Sequence, residues 1–450
     1  MTLLGDRLRQ IVRAGPGGSA SRQDAPSAPG VPNASTAGGL EEALGGAWTP
    51  DGRSFVVERR VSAGAAYGRC RVGQIGAGIQ RAAGEARLLG AGAPARPPFV
   101  FFDLETTGLS GGAGTHAFLV GYGWFTGDGA WVTWQHLLAR HDLERPMLER
   151  VEEAFSGAGA LVSFNGKSFD APFLETRYLF HRLEWAGSRL PHLDVLHPAR
   201  RFWGDRGAAR LAPPSPGCSL IALEQQILGA RREGDVAGFE IPSRYFQFVR
   251  TGDARPLSAV FEHNRLDLLS LAGLTARLLE LVADGPGAAG DAREALALGR
   301  LYARAGLDGR AGDAFRHVTD AACAADHQRI DGLRELAAML RRRRRHEEAA
   351  ECWRRLLEIG SCPRHMAREA NEALAIHHEH RVRDLAAAKA FALQSLERVE
   401  GEEEGAVRHR LARLERKLTT AASGRPLFPS WSSRPRPSSG SRKSARRTSS

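Results

Sequence analysis

Residues 98–108 read Pro-Phe-Val-Phe-Phe-Asp-Leu-Glu-Thr-Thr-Gly. A continuous apolar run of this kind is what a strand covered on both faces requires. Its end carries two acids, Asp103 and Glu105. On a strand, residues i and i+2 point to the same face, so the two carboxylates project together. Thr106-Thr107-Gly108-Leu109 then turns away with exposed backbone amides. A carboxylate carried into a core is costly unless a cation compensates it. A strand ending in two acids therefore suits a hard divalent cation with oxygen ligands. The plainer alternative is a pair of acids capping a following helix.

Working outward, Ala117–Trp124 and Ala130–Leu138 are apolar and aromatic segments separated by Thr126-Gly-Asp-Gly129, a hairpin signal. Three early antiparallel strands follow from this. Met147–Phe155 reads as a helix, Ala160–Asn165 as a fourth strand and Ser168–Leu183 as the helix after it. His192–Leu196 reads as a short strand, with Ser219–Leu228 and Pro256–Val282 as further helices. Strands first and then alternating strands and helices give an α/β domain over 97–285, a mixed sheet flanked by helices. Ahead of it, residues 1–46 contain a Gly-, Ala-, Ser- and Pro-rich stretch expected to be a disordered arm. Residues 47–96 are expected to be a small β extension and linker, with short strands near Phe55–Val61 and Gly68–Gly73.

Residues 290–418 have a helical pattern that repeats at an offset of 38. Leu298, Gly299, Tyr302, Ala311 and Phe315 align with Leu336, Ala337, Leu340, Ala349 and Trp353. Leu374, Ala375, His378, Ala387 and Phe391 form a third copy. Small residues let two helices approach, and the aromatic is expected to fill the gap between neighbouring pairs. The pattern resembles a tetratricopeptide-type array, whose usual period is nearer 34, with a generic helical-hairpin bundle as the alternative. Residues 419–450, rich in Ser, Pro and Arg, are expected to be disordered.

Two more acids stand in short polar segments. Asp170 follows Asn165 across a Gly-Lys-Ser turn, where an acid near a helix N-terminus also has an ordinary capping role. Asp267 lies four residues after His263 on an expected helix, so the two share a face. Read alone, they make a simple i,i+4 pair.

Taken together, Asp-x-Glu, Asn-x4-Asp and His-x3-Asp resemble, in order and spacing, the DEDD exonucleases of the RNase H-like superfamily, and more closely its YprB-like group. The carrying residues are Phe101–Leu109, Gly114–Gly121, Phe164–Leu174, Cys218-Ser-Leu, Phe239–Phe246, Arg250–Asp253 and Glu262–Leu271. The resemblance implies a two-metal 3′-5′ exonuclease acting on DNA or RNA. In it Asp103, Glu105, Asp170 and Asp267 would hold two Mg²⁺ or Mn²⁺ ions, and His263 would orient or deprotonate water, a role suited to imidazole at neutral pH. Asn165 would position the terminal nucleotide. Thr106 and Leu109 would meet its sugar and base, and Asp194 would support the site from behind or simply end a strand. The third segment departs from the superfamily pattern, which has Tyr-x3-Asp or His-x4-Asp. Here a His stands at the Tyr spacing, and one residue on a helix is a turn of about 100°.

Lys167, Arg177, Arg201 and Arg244 are candidate phosphate contacts; each is otherwise a solvated charge. The net charge of +11 suggests a polyanionic partner, although seven of those charges sit in residues 425–450 with no acid to offset them. Arg341–Arg345 is a run of five arginines, a solvated face or a nucleic-acid contact. No run of about 18 apolar residues indicates a membrane span, and no long apolar core marks the N-terminus as a secretion signal. Five scattered cysteines, none in a Cys-x-x-Cys pair, fit reduced thiols and a cytoplasmic location. The competing expectation is a scaffold whose helical repeats bind a protein or nucleoprotein, with a nuclease fold of little activity.

Overall fold

The structure is a computed structural model and describes residues 36–90, 95–108, 114–204, 218–396 and 404–422. The disordered arm and tail expected from the sequence fall mainly outside these residues. Where they overlap, the expectation fails: Thr36–Leu44 is helical, and the helix Glu404–Ala422 runs past residue 419. Leu40 and Leu44 explain the first helix, since both are buried. Gly45, at φ 63°, then stops it, with its N–H on the Glu41 carbonyl.

Among the described residues nine strands follow in chain order: β1 (Ala47–Trp48), β2 (Phe55–Val61), β3 (Ala66–Tyr67), β4 (Cys70–Arg71), β5 (Phe99–Thr106), β6 (Ala117–Phe125), β7 (Trp131–Leu137), β8 (Ala160–Ser163) and β9 (His192–Asp194). β3 and β4 make a small hairpin. The other seven form one mixed sheet in the order β1-β2-β7-β6-β5-β8-β9. β5, β6 and β7 are the antiparallel trio expected from the hairpin signal.

β2 corrects the expectation of a separate extension. It pairs antiparallel with β7 along its whole length, Phe55 opposite Leu137 and Val61 opposite Trp131. Phe55 and Val57 share a core with Val100, Phe102 and Leu104, which a two-stranded ribbon could not supply. Nor is the rest of 47–96 a linker. Val72–Ala82 is a helix that turns Val72, Ile75 and Ile79 inward, packed along the long helix Ser258–Asp284.

The apolar run of β5 divides as a doubly covered strand should. Phe99 and Phe101 enter one core with Leu268–Val282 of the long helix. Val100, Phe102 and Leu104 enter the other with the helices Glu144–Ser156 and Asp170–Phe180. β8 lies parallel to β5, and β9 parallel to β8. This topology sets the turn after β8 next to the end of β5, so residues 165–170 meet Asp103 and Glu105.

Beyond residue 290 the chain is helical. Ala292–Arg304 pairs with Asp308–Asp320, Asp326–Arg342 with His346–Glu358, and Arg364–His377 with Leu385–Leu396; Glu404–Ala422 follows. The repeat positions are core positions: Leu298, Tyr302, Ala311 and Phe315 are buried, as are Leu336, Ala337, Leu340, Ala349 and Trp353. In the first copy the aromatic packs against the small residue of its own hairpin. A Cβ on Gly299 would lie 2.4 Å from the ring of Phe315 in the same pair. In the third copy His378 stacks on Phe391, ring centroids 5.3 Å apart. Each hairpin turns through one left-handed residue, Gly306 (φ 72°), Arg344 (59°) and Arg383 (64°). Glycine adopts this conformation freely, whereas an L side chain there costs roughly 1–2 kcal/mol. Among the described residues no helix is long and apolar enough to cross a membrane.

Candidate active site

Asp103 is held from the long helix. Asn264 Nδ2 donates to Asp103 Oδ2 at 2.9 Å, and Gln135 Nε2 on β7 donates to Asn264 Oδ1 at 2.9 Å and to the Phe261 carbonyl at 2.7 Å. Asn264 is fully buried, so this chain of amides stitches the helix carrying Asp267 to the strand carrying Asp103. Gly121 on β6, the register partner of Asp103, makes the room. A Cβ there would fall 1.9 Å from Asn264 Oδ1. Asn264, Gln135 and Gly121 had no role assigned from sequence; a glycine between bulky residues mid-strand is the one local signal of such an approach. Gly121→Ala should push Asn264 aside and slow any reaction that depends on Asp103 by about 10- to 100-fold, the scale of a small misplacement. Steady-state rates with an unchanged circular dichroism spectrum would show it. An unaltered rate would mean that the stitch is dispensable.

Asp170 begins the helix Asp170–Phe180. The turn before it is pinned by Asp194, which answers what that residue does. Its Oδ1 accepts the N–H groups of Asn165 (2.8 Å) and Leu196 (3.1 Å), and its Oδ2 accepts that of Lys167 (3.1 Å). Asn165 is left-handed at φ 68°, a conformation asparagine tolerates better than most residues. Gly166 allows the close pass: a Cβ would lie 3.0 Å from Asp170 Oδ2.

Asp267 has a resident cation. Arg232, 3% exposed in its side chain, places Nη2 2.6 Å from Asp267 Oδ1 and also bonds Glu224 Oε2. Glu224 accepts from Ser270, which bonds Tyr67. His263 Nδ1 lies 2.7 Å from Asp235 Oδ1, and its Nε2 is 3.6 Å from Asp267 Oδ2. In a neutral ring, a carboxylate facing Nδ1 favours the tautomer with the proton there and turns Nε2 toward the acids. Arg232, Asp235 and Glu224 had no role assigned from sequence: the first two lie in Arg-Arg-Glu-Gly-Asp (231–235) and Glu224 in the expected helix Ser219–Leu228, with no local signal of the site. Asp235→Asn should lower the rate about 10- to 100-fold, as loss of an orienting partner does. The double variant with His263→Ala should be no slower than His263→Ala alone; additive losses would show that Asp235 acts elsewhere.

The electrostatics are those of crowded acids. Burial, and then the charges of Asp267, Glu105 and Asp170, push the Asp103 carboxyl well above the usual carboxylate range. Glu105 is raised well above its range by burial, Asp267 and Asp170. Burial lifts Asp170 to about 7. Asp267 is raised by burial despite Arg232 and His263. Asp235 runs the other way: burial opposes it, but the His263 hydrogen bond and charge and Arg232 hold it low.

Among the described residues no basic side chain is within ion-pair distance of Asp103, Glu105 or Asp170. Half-buried, mutually repelling carboxylates with one arginine among four of them fit divalent cations. Among the described residues no three Asp, Glu, His or Cys side chains are drawn into a finished metal-binding arrangement. The fit therefore rests on uncompensated charge and donor chemistry.

A groove of about 670 Å³ opens beside the acids, lined by Glu105, Thr106, Asn165, Phe169, Asp170 and Phe173. It brings together Thr106 and Asn165, two of the residues expected to meet substrate. Leu109 lies outside the described residues. Phe169, 59% exposed, offers an aromatic face that sequence reading left unassigned. Of the four candidate phosphate contacts, Arg177 is corrected: it is 2% exposed and paired with Glu144, Nε to Oε1 at 2.6 Å. Arg244 is an ion-pair partner of Glu240 within its own helix. Lys167 and Arg201 remain half-buried and exposed, respectively.

Residues 100–279 match the RNase_H superfamily. Over 330 residues the chain is 31% identical to the uncharacterized protein YprB of Bacillus subtilis (strain 168), a stretch covering 71% of this chain and 75% of that protein.

Proposed function

This chain belongs to the YprB-like group of the RNase H superfamily, and from that premise we propose that it is a metal-dependent 3′-5′ exonuclease acting on DNA or RNA. The observation that carries the reading is the convergence of four half-buried carboxylates, from three separated segments, beside a groove with an exposed aromatic. Asp103, Glu105, Asp170 and Asp267 would hold two divalent cations, Mg²⁺ or Mn²⁺. When bound, such ions stabilise charge on phosphoryl oxygens and lower the pKa of water.

The chain's own groups account for the rest. His263, its Nδ1 directed at Asp235, would take a proton at Nε2 from the attacking water. Asn264 keeps Asp103 in one rotamer, so the acid does not reorient between turnovers. Asn165 and Thr106 border the groove where a terminal nucleotide would lie, and Phe169 would stack on its base. Asp194 fixes the turn that presents Asn165.

An exonuclease needs a strand end. With Mn²⁺, the protein should shorten a linear single strand of DNA or RNA and leave a circular strand of the same sequence intact. Cleavage of the circle would make the activity endonucleolytic and overturn the end-dependent part of the reading.

A further inference from the structure

The helical hairpins have two edges of unlike charge. The turns between successive hairpins, Ala321–Ala325 and Ile359–Pro363, contain no lysine or arginine. The turns within hairpins form the other edge. The second of these follows Arg341 and Arg342 and contains Arg344; the third contains Arg381 and Arg383. All five of these arginines are exposed, and none of their side chains has a hydrogen-bond or ion-pair partner among the described residues. Of the nearby acids, Asp308 pairs with Arg343, Glu348 with Arg345, and Glu379 with Arg413 and Lys417, while Asp384 caps the Ala387 N–H and Glu347 faces His377. The turns also line up. Arg343 of the second hairpin reaches Asp308 of the first, and His377 of the third lies 3.3 Å from Glu347 of the second.

Arg341 and Arg342 have an ordinary role, offsetting the dipole at a helix C-terminus. Arg344 and Arg383 do not share it. They occupy the left-handed corner of their turns, φ 59° and 64°, where the first hairpin has Gly306 at 72°. Glycine is the unstrained residue for that corner. Arginine twice stands where the fold favours glycine, and both times its side chain is exposed and unpaired. A strained residue that contributes nothing to packing points to a role outside the fold.

We propose that this edge is a track for the phosphodiester backbone of a nucleic-acid strand, spanning the second and third hairpins. Guanidinium forks match phosphate oxygens and keep their charge at any working pH. The residues of the two turns are mostly charged or polar, with Ile376 and Val382 exposed beside the third, too few apolar side chains for an apolar protein interface. The track concerns the same class of polymer as the exonuclease reading but stands on different residues.

The test uses the full chain in EDTA, so that nothing is degraded, with a 5′-fluorescein 30-nucleotide thymidylate strand as probe. Anisotropy titrations over a range of NaCl compare the protein with R341Q/R342Q/R344G/R381Q/R383G. The variant should bind at least about tenfold more weakly at moderate salt. Its dependence of log affinity on log salt should flatten by about 3, since each lost contact to a single strand removes about 0.7. R344G/R383G alone should melt no lower than the parent, because glycine relieves both corners. Equal affinity and slope in the two proteins would overturn the proposal, and so would weaker binding accompanied by a lower melting temperature. Hydrolysis of thymidine 5′-(4-nitrophenyl phosphate) with Mn²⁺, run alongside, separates the two readings. A protein inactive on this ester and on strands that still shows the flattened slope keeps the track and loses the exonuclease.

Discussion

Asp103→Asn is expected to lower metal-dependent hydrolysis of a single strand by at least about 10³-fold, roughly 4 kcal/mol of barrier. Asp103 is the acid all the others act upon: Glu105, Asp170 and Asp267 each raise its pKa, and Asn264 is dedicated to its orientation. Asparagine keeps the shape and the hydrogen bond but removes the charge that would bind a cation. The same substitution should make the metal-free protein more stable near neutral pH, because a buried, repelled charge disappears. Activity and melting temperature should therefore move in opposite directions. A variant that loses both would have lost its fold, and one that keeps its rate would show that Asp103 does not serve the reaction.

The second large effect is the pH dependence of stability without metal. Asp170 is pushed up to about 7, and Asp103, Glu105 and Asp267 are also raised. A carboxyl whose folded pKa lies above its unfolded value binds its proton more tightly in the folded state. Its contribution is fully present below the unfolded pKa near 4 and is lost as pH rises through the folded value. The four acids should therefore destabilise the metal-free protein progressively between about pH 4 and about 7, against the opposite trend of His136 and His192, which burial holds at about 4, so their effect is read as the difference between the parent and Asp170→Asn. Mn²⁺ at a hundredfold excess over its Kd adds about 2.7 kcal/mol, several degrees in Tm for a chain of this size, and its effect should grow as the acids ionise. Asp170→Asn should remove its share of that loss from the metal-free curve. A pH dependence of Tm that Asp170→Asn leaves unchanged, or a Tm that Mn²⁺ fails to raise at the upper end of this range, would contradict the picture of four crowded acids. Glu144, held at about 2 by His116, Arg177 and His181 against the effect of burial, works in the opposite sense. Its stabilisation is lost only as pH falls below about 4, outside this window.

What sequence made readable was what local pattern encodes. The β5 run, the Thr-Gly-Asp-Gly hairpin and the 38-residue helical repeat are short-range signals, and each corresponds to an observed element. β2 was assigned to a separate unit because its role depends on pairing with β7, a distant strand that no local period names. Thr36–Leu44 was hidden because Leu40 and Leu44 are scarce apolar residues in a Gly-rich stretch, and their burial depends on the rest of the core. The acids were visible as residue types in order. Their supports were not, because Asn264 matters through Gln135, 129 positions away, and through Asp103, 161 away. Arg177 shows the reverse error. It reads as a free basic residue until Glu144, 33 positions earlier, is found to bury it. His263 at the tyrosine spacing was puzzling in sequence; its Nδ1 contact with Asp235 supplies a physical reason for an imidazole at that place.

The most direct test of the central claim is digestion of a 5′-labelled single strand, DNA and RNA in parallel, by the full chain with Mn²⁺, with EDTA, and as Asp103→Asn. A ladder of products shortening from the 3′ end, seen with Mn²⁺ and absent in the other two conditions, is the expected result. No shortening with Mn²⁺, or an equal ladder from Asp103→Asn, would contradict it.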